Sequence, residues 1–193
     1  MKKMLIVFAL LALAPAGALA QATYFVDYYT NNAGPGATFD QVIRIINAGT
    51  LGNPMTSPVG DICADIYVFD ANQELIACCD QDITPNELDS ASVANQLTSD
   101  PLTMLVPPAG VIKIATTPAP CGTPLTQADA TLAVVYATHL QVTGGATYVT
   151  ETQIMPSPLS ASEALFLPQA CSFARFLGSG GSRAFCSTNA PGQ

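Results

Sequence analysis

The stretch DICADIYVFDANQELIACCDQDI, Asp61 to Ile83, decides the fold class. Two runs rich in apolar and β-branched residues, Ile62 to Phe69 and Glu74 to Cys79, flank Asp70-Ala71-Asn72-Gln73. Such runs read as strands. Asp and Asn supply the turn, because their side chains bond nearby backbone and tolerate left-handed conformations. The segment is therefore expected to form a β-hairpin.

Downstream of the hairpin, Thr84-Pro85-Asn86-Glu87 has turn chemistry, with Thr84 as cap and Glu87 reaching back. Leu88 to Val93 is a short strand candidate, and Val111 to Thr116 is bounded by prolines. Leu132 to Val142 and Thr147 to Ile154 flank Thr143-Gly144-Gly145-Ala146, a second hairpin whose glycines accept positive φ. Upstream, Thr38 to Asn47 carries Val42, Ile43, Ile45 and Ile46, which suits a strand in the middle of a sandwich. Thr23 to Tyr29 holds four aromatics, Tyr24, Phe25, Tyr28 and Tyr29. Either one aromatic face enters the core, or the strand adds to a neighbour's sheet edge in adhesion or self-association. Short strands at roughly ten-residue spacing, joined by Pro- and Gly-rich turns, predict an all-β, immunoglobulin-like β-sandwich of about seven to nine strands. A closed β-barrel is the alternative.

Ser160 to Leu177 is the helical candidate. Ser160 and Glu163 have capping-box spacing. Phe166, Ala170, Phe173 and Leu177 fall on one helical face. Pro168 interrupts the pattern, so a kink or a later start is expected.

The first twenty residues carry Lys2 and Lys3, an apolar run from Met4 to Leu13, and Ala18-Leu19-Ala20. That order is a secretory signal peptide, with cleavage expected after Ala20. The run is too short to span a bilayer, which takes about 20 residues. Residues 21–193 then form a single domain, and the protein is expected to be secreted, with the periplasm as the other compartment that fits. This mature part holds four basic residues, Arg44, Lys113, Arg175 and Arg183, against fourteen acids, a formal charge of −10. A surface this acidic repels phosphate backbones, so nucleic acid is not a partner. Anionic membranes are disfavoured for the same reason, and no membrane partner is expected after signal cleavage.

All six cysteines, Cys63, Cys78, Cys79, Cys121, Cys171 and Cys186, lie beyond residue 20. An even number in an exported chain reads as disulfides, and zinc spacings are absent. Neighbours on a strand point to opposite faces, so Cys78 and Cys79 should take different partners. The glycine-rich turn after the helix favours a Cys171–Cys186 bond. Cys63 then pairs with one of Cys78 and Cys79, and Cys121 takes the other.

The segments Asp61 to Asp70, Ala77-Cys78-Cys79, Asp100-Pro101-Leu102-Thr103 and the Cys171 helix with its glycine-rich tail resemble a group of uncharacterised secreted proteins of environmental bacteria. The resemblance implies export and fold but no activity. The group's pattern often carries two more cysteines where this chain has Gln81 and Asn189, which implies that those two are partners.

Chemistry is sparse. His139 is the only histidine, and alternation places it with Ala133, Val135, Ala137 and Gln141 on the less bulky face of a strand. No G-x-S-x-G or H-E-x-x-H motif occurs. Gly178-Ser179-Gly180-Gly181 follows a helix instead of opening one and lacks the lysine of a phosphate loop. Eight carboxylates, Asp61, Asp65, Asp70, Glu74, Asp80, Asp82, Glu87 and Asp89, crowd positions 61–89. Turn and solvated-edge roles are expected for most. Asp70, Asn72, Glu74, Asp80 and Asp82 are weak calcium candidates, because hard oxygen ligands near a loop suit that ion outside the cell. No other cofactor is indicated. The expected function is non-catalytic extracellular binding, adhesion or surface assembly with an unknown protein or surface partner. A secreted carboxylate-dependent hydrolase, calcium-assisted, is the alternative.

Overall fold

The computed structural model describes residues 21–31, 40–52, 60–179 and 183–186, the side chain of Val142 excepted. The expected leader, Thr38 and Phe39 at the start of the expected Thr38 to Asn47 run, and Asn189 lie outside the described residues.

The hairpin forms as read. Strand β3 spans Ile62–Asp70 and β4 spans Leu75–Ile83, paired antiparallel. Asp70 Oδ1 closes the turn by accepting the N–H groups of Asn72 at 2.8 Å and Glu74 at 2.9 Å. Gln73 takes a left-handed φ of 70° there. Every residue of β3 from Ile62 to Phe69 is buried. Ile62, Ala64, Ile66 and Val68 enter one core, whereas Tyr67 and Phe69 enter a second on the opposite face. A strand apolar on both faces must be covered on both faces, and this one requirement sets the architecture.

The first cover is a second sheet. The five-stranded sheet runs β4-β3-β6-β1-β9, with β1 at Thr23–Thr30, β6 at Ala109–Pro118 and β9 at Pro156–Pro158. The four-stranded sheet runs β5-β2-β7-β8, with β2 at Val42–Asn47, β5 at Leu88–Ser92, β7 at Ala133–Thr143 and β8 at Ala146–Gln153. All strand pairs are antiparallel and neither sheet closes, so the fold is an all-β sandwich and not a barrel. Phe25, Tyr29, Ile43, Ile45, Ile112, Ile114 and Val135 fill the space between the sheets. Each such side chain contributes about 1.5–3 kcal/mol on burial. Tyr29 is wholly enclosed and donates its hydroxyl to the Phe69 carbonyl at 3.1 Å. It fits because Gly110 has no side chain: a Cβ there would sit 1.9 Å from the Phe69 oxygen.

The second cover is helix α1, Ala161–Gly178. Ser160 caps it by accepting the Glu163 N–H at 3.1 Å. The Glu163 carboxylate completes no capping box; it pairs with Lys113 of β6 instead. The helix does not start late: it continues through Pro168. Leu167, fully buried, and Cys171 pin it to the sheet on either side of the proline. The inward face is made of small residues and one leucine, namely Ala164, Leu167, Cys171, Ala174 and Gly178. The shared face of Phe166, Phe173 and Leu177 points away from the protein.

The six cysteines form three disulfides, and their connectivity corrects the expected pairings. Cys171 is bonded to Cys78, Cys186 to Cys79, and Cys63 to Cys121. Neither the expected Cys171–Cys186 bond nor a bond from Cys63 to Cys78 or Cys79 occurs. The cause is register. Strand β4 runs on to Ile83, so Cys63 faces Asp82, while Cys78 and Cys79 face Tyr67 and Ile66 in mid-hairpin. Cys78 and Cys79 do take different partners on opposite sheet faces. Cys78 meets the helix at a Cα–Cα distance of 5.8 Å, and Cys79 meets the returning tail at 5.4 Å.

Candidate functional site

The helix side of the β3–β4 hairpin holds the one acid pair that strand register brings face to face among the described residues, Asp65 opposite Asp80. Asp65 is only 6% exposed, and its Oδ2 has no hydrogen-bond partner. Arg175 reaches over from α1, donating to the Cys78 carbonyl at 3.3 Å and approaching Asp80 Oδ2 at 3.5 Å. Its placement follows from spacing. Arg175 lies one helical turn after Cys171, and Asp80 lies two residues after Cys78 on the same strand face. The Cys78–Cys171 bond therefore sets the guanidinium against the carboxylate. These groups line a cavity of about 330 Å³ whose walls include Tyr67, Leu125, Pro168 and Ser172.

Burial, and after it the charge of Asp80 and a hydrogen bond to it, push the Asp65 carboxyl up to about 7 against the opposing pull of Arg175. The Tyr67 hydroxyl is pushed up by burial and by the two nearby acids. Asp65 therefore keeps its proton into the neutral range.

The calcium candidates are not brought together. Asp70, Asn72 and Glu74 form the exposed hairpin turn, where Asp70 accepts backbone N–H groups and the Asn72 amide at 3.3 Å. Asp80 lies six residues beyond Glu74 along β4, roughly 20 Å away at strand rise. Asp82 does meet sulfur, with its Oδ1 3.1 Å from Cys121 Sγ in a group with Cys63. Metal ligation there would need thiolates, and these two sulfurs are bonded to each other.

His139 lies in β7 and is 7% exposed. Its Nε2 is 2.9 Å from Asp27 Oδ2 on β1 of the facing sheet, and Tyr28 stacks on the ring at 4.5 Å. Burial raises the Asp27 carboxyl, opposed by His139. Thr152 Oγ1 stands 3.5 Å from Nδ1, too far for an activated hydroxyl. The group clasps one sheet to the other. Sequence reading placed His139 on a strand but not its partner, because no local pattern relates β1 to β7. Arg175 was missed as a site residue for a similar reason: it acquires meaning only once the disulfide is known.

Two outer surfaces stand apart. The outward face of α1 presents Leu165, Phe166, Phe173, Phe176 and Leu177, with Phe176 74% and Phe173 63% exposed, and Phe185 is exposed as well. Strand β8 is exposed at all eight residues. No helix among the described residues is long and apolar enough to cross a membrane. Comparison with family models, with curated proteins and with solved structures finds no match for this chain.

Proposed function

We propose that this chain is a non-catalytic extracellular protein with an immunoglobulin-like sandwich, acting in binding, adhesion or surface assembly through the outward face of α1. The carrying observation is an inversion: the helix buries small residues and exposes its aromatics. A helix placed only to cover a sheet would turn its phenylalanines inward. Contiguous apolar surface on a chain with so few charges marks a contact site. The disulfide from Cys171 holds this face rigid, which lowers the ordering cost of binding. The three disulfides support an oxidising compartment, in keeping with the leader-like N-terminus.

The test is the partition of exported protein between the cell-bound fraction and the medium. The double variant Phe173→Ser, Phe176→Ser should release protein from cells while keeping its melting temperature. An unchanged partition would remove the helix face from the reading.

One observation favours the second reading, a carboxylate-dependent hydrolase: Asp65 and Asp80 meet in a cavity. Two carboxyl groups facing one another can activate water for acyl hydrolysis. The burial of Asp65 and the guanidinium at Asp80 weigh against it, since water and substrate must both reach the acids. Peptide hydrolysis at acidic pH that vanishes in Asp80→Asn would establish it.

A further inference from the structure

Among the described residues, the outer edges of the two sheets are short, covered or capped, with one exception. Strand β9 is three residues long and two are prolines, which have no N–H to offer. Beyond its reach, the Gln41 side chain stands in for a strand on β1, donating to the Tyr28 carbonyl at 3.0 Å and accepting the Thr30 N–H at 3.1 Å. The β4 edge is covered by the chain itself: Leu102 N–H donates to Ile76 O at 2.8 Å and Cys78 N–H to Ala184 O at 3.1 Å. Strand β5 is five residues long, and Gln96 takes the N–H of Ser92 at 2.6 Å.

Strand β8 has none of these devices. It holds eight residues in unbroken register with β7, without proline, lysine or bulge. The Ile154 N–H donates to Val135 O at 2.8 Å, which sets the phase of the ladder. Alternation then turns the N–H and C=O groups of Thr147, Val149, Glu151 and Gln153 outward. No described residue bonds them. An edge this long and open is a template for another strand.

We propose that this edge pairs antiparallel with the β8 edge of a second copy of the chain, about a twofold axis at Thr150. The strand is self-complementary in that register. Thr147 faces Gln153 of the second copy, Val149 faces its Glu151, and Tyr148 faces its Thr152, an aromatic–β-branched pair of the favoured kind. All four outward residues on each copy find partners, giving about eight main-chain hydrogen bonds. A register centred on Glu151 would set two carboxylates opposite each other, and one centred on Val149 would leave Gln153 beyond the strand. The one charge on the edge, Glu151, is already paired with Arg44 of its own copy. The edge is thus a neutral strip on an otherwise acidic molecule, where two copies can approach. The two four-stranded sheets become one of eight strands, an isologous contact of the commonest oligomer symmetry. This contact is independent of the α1 face.

Sedimentation velocity of the mature chain from micromolar to millimolar concentration tests it. The wild type should pass from monomer to dimer, and a monomer throughout overturns the proposal. Val149→Pro is the decisive variant, because the Val149 N–H points outward and its loss costs no bond to β7. It should abolish the dimer with the melting temperature of the monomer retained. Should it fold poorly, Val149→Glu serves in its place, because it sets a carboxylate opposite Glu151 of the second copy, and like charges directly opposite are destabilising. A dimer that survives either folded variant overturns the proposal. Thr150→Cys should give a covalent dimer on mild oxidation, since residues on the axis form a close non-hydrogen-bonded pair about 4.5 Å apart at Cα. Cross-linking through Val149→Cys and not Thr150→Cys overturns the register.

Discussion

The β3–β4 and β7–β8 hairpins are the same local motif in opposite circumstances. Both are antiparallel pairs joined by a tight turn, Asp70 to Gln73 in one and Gly144-Gly145, with φ of 61° and 81°, in the other. In the first, strand β3 is buried on both faces, and the hairpin holds one end of every disulfide. The second carries no cysteine, and its outer strand is exposed throughout. Local pattern makes a hairpin; what covers it decides whether it is the keystone of the domain or a projecting ribbon. Substitutions should therefore have unequal effects in the two places.

The widest gap is covalent. Replacing Cys78 and Cys171 together by alanine should cost about 2–5 kcal/mol in urea denaturation, because the bond closes a long loop and clamps α1 to the sheet. A cost below that of an ordinary surface substitution would show that the helix holds its place by packing alone. Next come side chains in the two strands. Ile66→Ala, at a fully packed site, should cost about 2–5 kcal/mol. Tyr148→Thr in the ribbon should stay within about 0.5 kcal/mol in the monomer. Equal losses at the two positions would erase the contrast.

The third test uses protons. The Asp65 carboxyl is raised to about 7 in the folded chain by burial and by Asp80, above its ordinary acidic value in the unfolded chain. Between those values the native state holds a proton that the unfolded state has released. Stability contributed by this group is thus full at acidic pH, falls as pH rises through the window, and levels above about 7. Asp65→Asn mimics the protonated form. It should be more stable than wild type at pH 8 by about 1 kcal/mol or more, with little difference near pH 4. Parallel pH–stability curves would show that the pair is solvated. The smallest effect is expected at the ribbon's one ion pair, where Glu151→Gln should shift monomer stability by less than about 0.5 kcal/mol.

How much of this was legible in the sequence follows from the range of each signal. Turn chemistry and runs of β-branched residues are local, and both hairpins, the Ser160 cap and the opposed directions of Cys78 and Cys79 were read from them. Disulfide pairing is not local. It depended on where β4 ends, and extending that strand to Ile83 moved Cys63 out of reach of Cys78 and Cys79. The site was half legible. Asp65 and Asp80 were two of eight clustered acids, with Asp80 read only as a calcium candidate; their meeting needs register, and Arg175 needs the helix to be laid on that face. The outward aromatics ran against the expectation that large apolar residues are buried. The covalent clamp and the small inward residues let the helix sit close to the sheet without them.

The convergence of all three disulfides on one hairpin also has a mechanical meaning. Cys79 and Cys186 are 107 residues apart along the chain yet directly bonded. Tension applied between the N-terminal strand and the tail crosses that bond and bypasses everything between. Only the chain up to Cys79 can pay out under load. Roughly 350 Å of extended contour stays locked behind the covalent shortcut, so helix α1 and the four-stranded sheet from β5 onward lie off the line of force, where a pull that unravels the N-terminal strands leaves their backbone slack.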